Sequence, residues 1–503
     1  MRNVILILAI LTTFLAVPQP VNANTPKILS PTWTSVIAYY NPNDSDPGGG
    51  GVDNGTAEMN IIYYKSAGGF ESSGYIPILP HHSGVMLVGS TSNFNGAAVI
   101  SSNLPIFAVY KQESSTREPF SPILYTSFDL LTQAGEGIFY LPSVQRTEQF
   151  DTQIAIQNIE SYPIEINLDF YGKDHSTFHI EEADFPGGEI LSQSSRIFKA
   201  SEITALPVGF DGSLVINGHE ADSSRQSNIV AVAQDSIVGG RQTFIYEGVG
   251  EGAQKVFLPA VFCQFGTSKQ STRLWVQNTA SADPLGINDT VISVNYFQND
   301  TTDGLYASLT TPEEIVPGES VLIDVCDPTN TGGIVTGRSF SAVVEVNNSQ
   351  ASIAVVGKTN SKDGLYTAYT GQPALDSAKG SDDIYRVVLP YVEYSLKYGF
   401  KTYIYVQNAS TSEAVDDVDV KYYPHAGGDP VVHKLGILQP GSMLPSDPSK
   451  ARAYDTTSRG FFGAVVIEST HPIAALARVQ STVSVTGATT LGEEYSGMVY
   501  KKP

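Results

Sequence analysis

Four times along this chain a strand ending in asparagine recurs: Ser35–Asn41 (SVIAYYN), Thr152–Asn158 (TQIAIQN), Thr272–Asn278 (TRLWVQN) and Thr402–Asn408 (TYIYVQN). The recurrences lie roughly 120 residues apart, one small domain each. A chain repeating at that interval folds as an array of similar units, so the fold of one copy is the fold of the whole. Other landmarks keep their order around each asparagine strand. A proline-containing strand precedes it: Leu141-Pro142-Ser143-Val144, Leu258-Pro259-Ala260-Val261 and Leu389-Pro390-Tyr391-Val392, with a looser Ile28-Leu29-Ser30-Pro31 in the first copy. A Phe-x-small turn leading into a strand follows, at Phe94, Phe210, Phe340 and Phe461.

The periodicity within these segments is two. Ile154/Ile156, Leu274/Val276 and Ile404/Val406 point one way; Gln153, Arg273, Trp275, Tyr403, Tyr405 and Gln407 point the other. Proline cannot donate to a ladder, which places the L-P strand at an edge or a strand start. Pro317-Gly318 and Pro440-Gly441 supply type II turns. Counting gives about seven strands per copy with almost no helical periodicity, and two facing sheets bury that many half-apolar strands. The expected architecture is all-β: four tandem sandwiches in a rod, with a leader at residues 1–23 and copies at 24–137, 138–254, 255–385 and 386–503.

This layout resembles the immunoglobulin-like β-sandwich modules strung along exported bacterial surface proteins, in particular bacterial repeats with an L-P-x-V strand and a T-x-I-x-V-Q-N strand. The resemblance spans nearly the whole chain after the leader. It implies scaffolding, adhesion or glycan binding. The Cys…Trp…Cys pin of antibody domains is missing, because Trp275 sits on the outward face.

Arg2, the apolar run Val4–Val17 and the small-residue site Val21-Asn22-Ala23 read as a signal peptide, so the protein is expected to be secreted or held at the cell surface, with the periplasm as the alternative. No later run is long and apolar enough to span a bilayer. The formal net charge is −22 with no run of Lys or Arg, which argues against nucleic acid and anionic membrane as partners. The two cysteines, Cys263 and Cys326, both fall in the third copy. In an exported chain the simplest reading is a disulfide, and two buried thiols are the other.

No nucleophile elbow, zincin helix, Walker loop or C-x-x-C pair occurs, and the chain reads as non-enzymatic with no cofactor. A secreted hydrolase is the weakest alternative. Three polar groups were weighed as metal ligands. Asp174-His175 with His179 and Glu181 offers zinc chemistry, yet His175 and His179 lie about 13 Å apart on a straight strand. Asp44, Asp46 and Asp53 are spaced like a calcium loop but lack a closing glutamate. His81-His82 reads as an exposed turn. The repeated Asn41, Asn158, Asn278 and Asn408 read as structural, tying the turn that follows each strand. Trp275, Tyr403 and Tyr405 are expected to face solvent, where rings stack on polysaccharide or fill a protein interface. The working expectation is a cell-surface structural or adhesive protein whose partners are copies of itself or other surface proteins, with head-to-tail assembly through the segment Met498-Val499-Tyr500; polysaccharide binding is the alternative.

Overall fold

A computed structural model describes residues 7–11, 33–44, 55–66, 69–88, 96–114, 125–129, 137–181, 188–221, 223–238, 243–282, 285–299, 304–327, 336–373, 379–395, 399–453, 460–481 and 491–502. The fold is all-β. Each copy builds two sheets that face one another across an apolar core. The third copy shows them most plainly. One sheet runs in the order 305–310, 292–297, 338–346, 255–263 and 372–373, and the other in the order 320–324, 271–278, 353–360 and 366–370. Val256, Leu258 and Val294 of the first sheet meet Leu274, Val276 and Val355 of the second. The same order recurs in the second and fourth copies, where one register step in the first hairpin (Asp151 opposite Arg146, Tyr394 opposite Lys401) joins the two sheets.

The asparagine strand supplies the register. Asn158, Asn278 and Asn408 are fully buried, and each Nδ2 donates to backbone carbonyls of loops that cross the strand end: Tyr162 and Ile190, Asn288 and Ile315, Glu413 and Leu438. Each Oδ1 accepts the backbone N–H two residues on, from Glu160, Ala280 and Ser410. Asn41 does the same for Gly55 and Ile78, with Asn43 N–H as its donor. A buried amide with every valence met fixes a turn without needing a left-handed backbone. Asn408-Ala409-Ser410 is an N-x-S glycosylation sequon, and with Asn408 buried it is closed to any modifying enzyme in the folded chain.

Every copy has a final strand that sequence periodicity does not reveal: Tyr125–Asp129, Thr243–Glu247, Tyr366–Thr370 and Leu491–Ser496. Among the described residues the first copy has seven strands, the second eight, and the third and fourth nine each. The new strand explains the L-P motif. The proline and the residue after it form a bulge in the ladder, with register shifts between Leu258 and Val261 and between Leu389 and Val392. The bulge frees the carbonyl after the proline, and a tyrosine of the last strand takes it. Tyr369 Oη donates to Ala260 O at 2.6 Å, Tyr246 Oη to Ser143 O, and Tyr495 Oη to Tyr391 O. In the first copy the equivalent position by register, opposite Tyr110, is Phe128. There the place beside Gly96–Ile100 that an L-P strand takes elsewhere is filled by Ile7–Leu11. Ile28–Pro31 and the rest of the expected leader lie outside the described residues.

The copies do not form a rod. The asparagine-strand sheets of the third and fourth copies rest on the L-P strand of the copy before, and the first copy rests in the same way on the fourth. Ala38, Tyr40, Phe107 and Val109 share a buried cluster with Val388, Leu389 and Tyr391. The last strands meet in a closed circuit, first with second, second with third, third with fourth and fourth with first. Within it Ser496 Oγ donates to Thr370 O at 2.6 Å and Thr370 Oγ1 to Glu247 O at 3.0 Å. The physical reason is the residue composition of the face opposite the core. It alternates like a solvent face but carries Ala155, Trp275 and Tyr405, whose burial needs a neighbour.

Each junction contains a buried polar side chain at one equivalent position: Lys111, Gln234, Lys358 and Arg478. Lys358 Nζ meets Asp235 and Ser143 of the second copy, Arg478 meets Gln270 of the third, and Lys111 meets Tyr391 and Glu493 of the fourth. Lys502 closes the same seam on Asp44 at 2.6 Å. Met498–Val499 pairs with Val387–Val388 of its own copy, so it is no free strand end. In copy three Phe340 stands two residues out of step: register aligns Leu214, Ala342 and Val465, which puts Phe340 level with Gly212 and Gly463.

Cys263 and Cys326 form a disulfide with Cα atoms 5.0 Å apart, pinning the end of the L-P strand to the segment after Ser320–Asp324.

Candidate ligand cleft between the third and fourth copies

A cleft of about 660 Å³ opens where the fourth copy's asparagine strand meets the third copy's first hairpin. It arises from a hairpin longer than its counterpart in the second copy. The hairpin spans residues 264–270, against 147–149 in the second copy. Phe265 and Gln270 pair across it, and Gly266 takes the left-handed backbone (φ +69°) that its tight turn requires. Opposite stands Phe400–Asn408, with Tyr403 and Tyr405 on the cleft side. Met443 and Pro445 come from the neighbouring strand Met443–Ser446, and Asp447 caps the short helix Pro448–Ala451 by accepting Lys450 N–H at 2.9 Å.

The back wall is stiff. Tyr405 packs edge-on against Phe262 with centroids 5.9 Å apart, and the Arg478 guanidinium lies 4.1 Å over the other side of that ring. Arg478 is held by Glu494, which Thr367 Oγ1 also binds at 2.6 Å. Burial pushes the Tyr405 hydroxyl up to about 12, so it remains a neutral donor at any physiological pH. On the same wall Gln480 Nε2 is buried and meets no hydrogen-bond partner among the described residues. The rest of the lining is the Phe297 ring with neutral polar groups from Thr267, Ser268, Gln298, Asn299 and Ser339, one acid, Asp447, and one base, Lys450.

The three aromatic residues expected at the surface divide. Trp275 and Tyr405 are each only 7% exposed, which corrects their assignment to solvent. Trp275 lies 4.5 Å from Lys358 Nζ in the second–third junction. Tyr403 is half-buried and lines the cleft. Of the acids and histidines considered as ligands, His175, His179 and Asp44 have partners outside their own groups. The chain does turn at His175 (φ 64°), yet His175 Nδ1 goes to Glu319 at 2.9 Å and His179 to Asp169 at 2.5 Å. Among the described residues no three His, Cys, Asp or Glu side chains are grouped to hold an ion. Asp44 is committed to Lys502 and His81, while Asp46 and Asp53 lie outside the described residues. His81 is not an exposed turn residue. It stacks on Tyr423 at 4.7 Å and bonds Tyr40 Oη, sealing the first copy to the fourth.

Sequence reasoning missed the cleft because its parts are far apart in the chain and none is a motif. The one signal was the length of the 264–270 hairpin. No helix among the described residues is long and apolar enough to cross a membrane. No family model and no curated protein matches this chain.

Proposed function

We propose that the protein is an exported structural or adhesive component of the cell surface, built from four immunoglobulin-like sandwich copies closed on themselves. The observation that carries this reading is the seam between first and fourth copies, where Lys111, itself buried, reaches Tyr391 and Glu493. A unit whose surfaces are locked by buried charge presents loops in fixed directions, which suits a scaffold or a multivalent contact. The Cys263–Cys326 disulfide favours an oxidising compartment, and the acidic surface suits an extracellular setting without anionic partners. Labelling intact producing cells with a membrane-impermeant amine reagent, alongside attachment and envelope-integrity assays on cells lacking the protein, tests the proposal. Surface labelling with lost attachment or a weakened envelope is expected. A protein protected from the reagent, or cells unchanged in both assays, overturns it.

A further inference from the structure

We infer that the cleft between the third and fourth copies is a binding site for a neutral oligosaccharide. The inference goes beyond the surface role proposed above and does not depend on it. Three observations converge. First, the lining is chemically uniform in an informative way. Amides and hydroxyls (Gln298, Ser268, Thr267) lie with ring surface from Phe265, Phe297 and Tyr403, and Asp447 and Lys450 balance each other. A phosphate or a peptide carboxylate needs an excess of cation, and a basic peptide an excess of acid; the cleft offers neither. A ligand that carries many hydroxyls and no charge, with apolar C–H faces between them, matches both halves of this surface. Second, the half-buried Gln480 side chain lines the cleft and adds an amide to the polar part of its wall. Third, the site is preformed, because Tyr405, Phe262 and Arg478 lock its back wall and the disulfide-bearing copy supplies its hairpin. The volume of about 660 Å³ lies within the usual range for small-ligand sites and holds two or three sugar rings.

The probes are cellotriose, maltotriose, mannotriose and chitotriose, titrated calorimetrically into the full chain, with an uncharged Gly-Ser hexapeptide as the competing chemistry. At least one trisaccharide is expected to bind and the hexapeptide not. Tyr403→Ala, at a half-buried position whose loss leaves the back wall intact, is expected to weaken that binding about tenfold. Thr267→Trp, at the exposed hairpin tip, fills the cleft and is expected to abolish it. Unchanged near-ultraviolet circular dichroism of both variants separates lost contact from lost fold. The inference is overturned if no trisaccharide binds at millimolar concentration, if the hexapeptide alone binds, or if folded Tyr403→Ala and Thr267→Trp bind as well as the parent.

Discussion

Replacing Asp235 by asparagine should destabilise the second–third junction strongly and in a way that weakens as pH rises. The Lys358 side chain is 2% exposed and Asp235 is not exposed at all. The ammonium also touches Ser143 Oγ at 2.5 Å and sits 4.5 Å from Trp275 and 5.1 Å from Tyr246, while Thr152 Oγ1 donates to the carboxylate at 2.5 Å. Removing one member of such a pair leaves a buried charge uncompensated and costs about 3–5 kcal/mol. A ceiling follows from protonation. The chain can always discharge Lys358 by releasing its proton, which at pH 7 costs about 1.36 × (10.5 − 7), or ~4.8 kcal/mol. Burial already holds the Lys358 pKa below its ordinary value. With the folded value depressed, the unfolded state binds more protons between that value and 10.5, so stability rises with pH through that window. The deficit of Asp235→Asn against the parent should therefore shrink at alkaline pH, because losing the carboxylate lowers the lysine pKa further. The assay is urea unfolding followed by Trp275 fluorescence in a Trp33→Phe background, at pH 7 and pH 9.5. Lys358→Met with Asp235→Leu should recover most of the loss, since a matched apolar pair avoids both desolvation terms. A cost under about 1 kcal/mol at pH 7, or one unchanged at pH 9.5, refutes the reasoning.

Four further outcomes are expected. Asp382 is held down to about 2 from 3.8 by the Arg386 guanidinium, so its contribution is present above pH 3.8 and is lost as pH falls towards 2; thermal melts of Asp382→Asn and the parent should converge across that interval. Converting Cys263 and Cys326 to serine should cost up to about 4 kcal/mol in the loop-entropy account, read as an earlier transition in calorimetry. Tyr369→Phe should cost roughly 1–2 kcal/mol because it orphans the buried Ala260 carbonyl, whereas the same change at exposed Tyr75 should be silent in the same melt. Amino-terminal sequencing of exported protein should begin at Asn24; Gly96–Ile100 then loses its Ile7–Leu11 partner, and hydrogen exchange at Val99 should be faster in that form than in a chain retaining residues 1–23.

Much of a single copy was legible in the chain. The asparagine strand, its core face and the disulfide all follow from local pattern, because period-two alternation and an isolated cysteine pair carry their meaning within one domain. The association of copies was not legible. A strand whose second face packs on a polar neighbour alternates just like one whose second face meets water, so Trp275, Tyr405 and Gln407 read as surface residues. A hint existed in Lys358, Lys111 and Arg478, single cations on otherwise apolar strands at matching distances from the asparagine. Long side chains on a strand commonly reach solvent, which hides that hint unless the copies are aligned. The last strand escaped because five residues of mixed Tyr and Thr give too short a window for periodicity. The cleft needs residues from positions 265 and 480 together, and only the closed arrangement brings them to one place.

The seam between first and fourth copies also bears on how such a chain arose. The second–third, third–fourth and fourth–first junctions are heterologous: the L-P strand of one copy receives the asparagine-strand sheet of another. A single-copy ancestor with the same two surfaces would assemble as a homotetramer, at the mercy of its own concentration. Fusion replaces that dependence with a high effective concentration and, more consequentially, removes the demand that all four interfaces be identical. Lys358 has settled on Asp235, Arg478 on Gln270 and Lys111 on Glu493, so the order of copies is now written in their charges. Exchanging the second or third copy would part buried Lys358 from Asp235, and an oligomer freed from symmetry keeps one junction available for a site that the others lack.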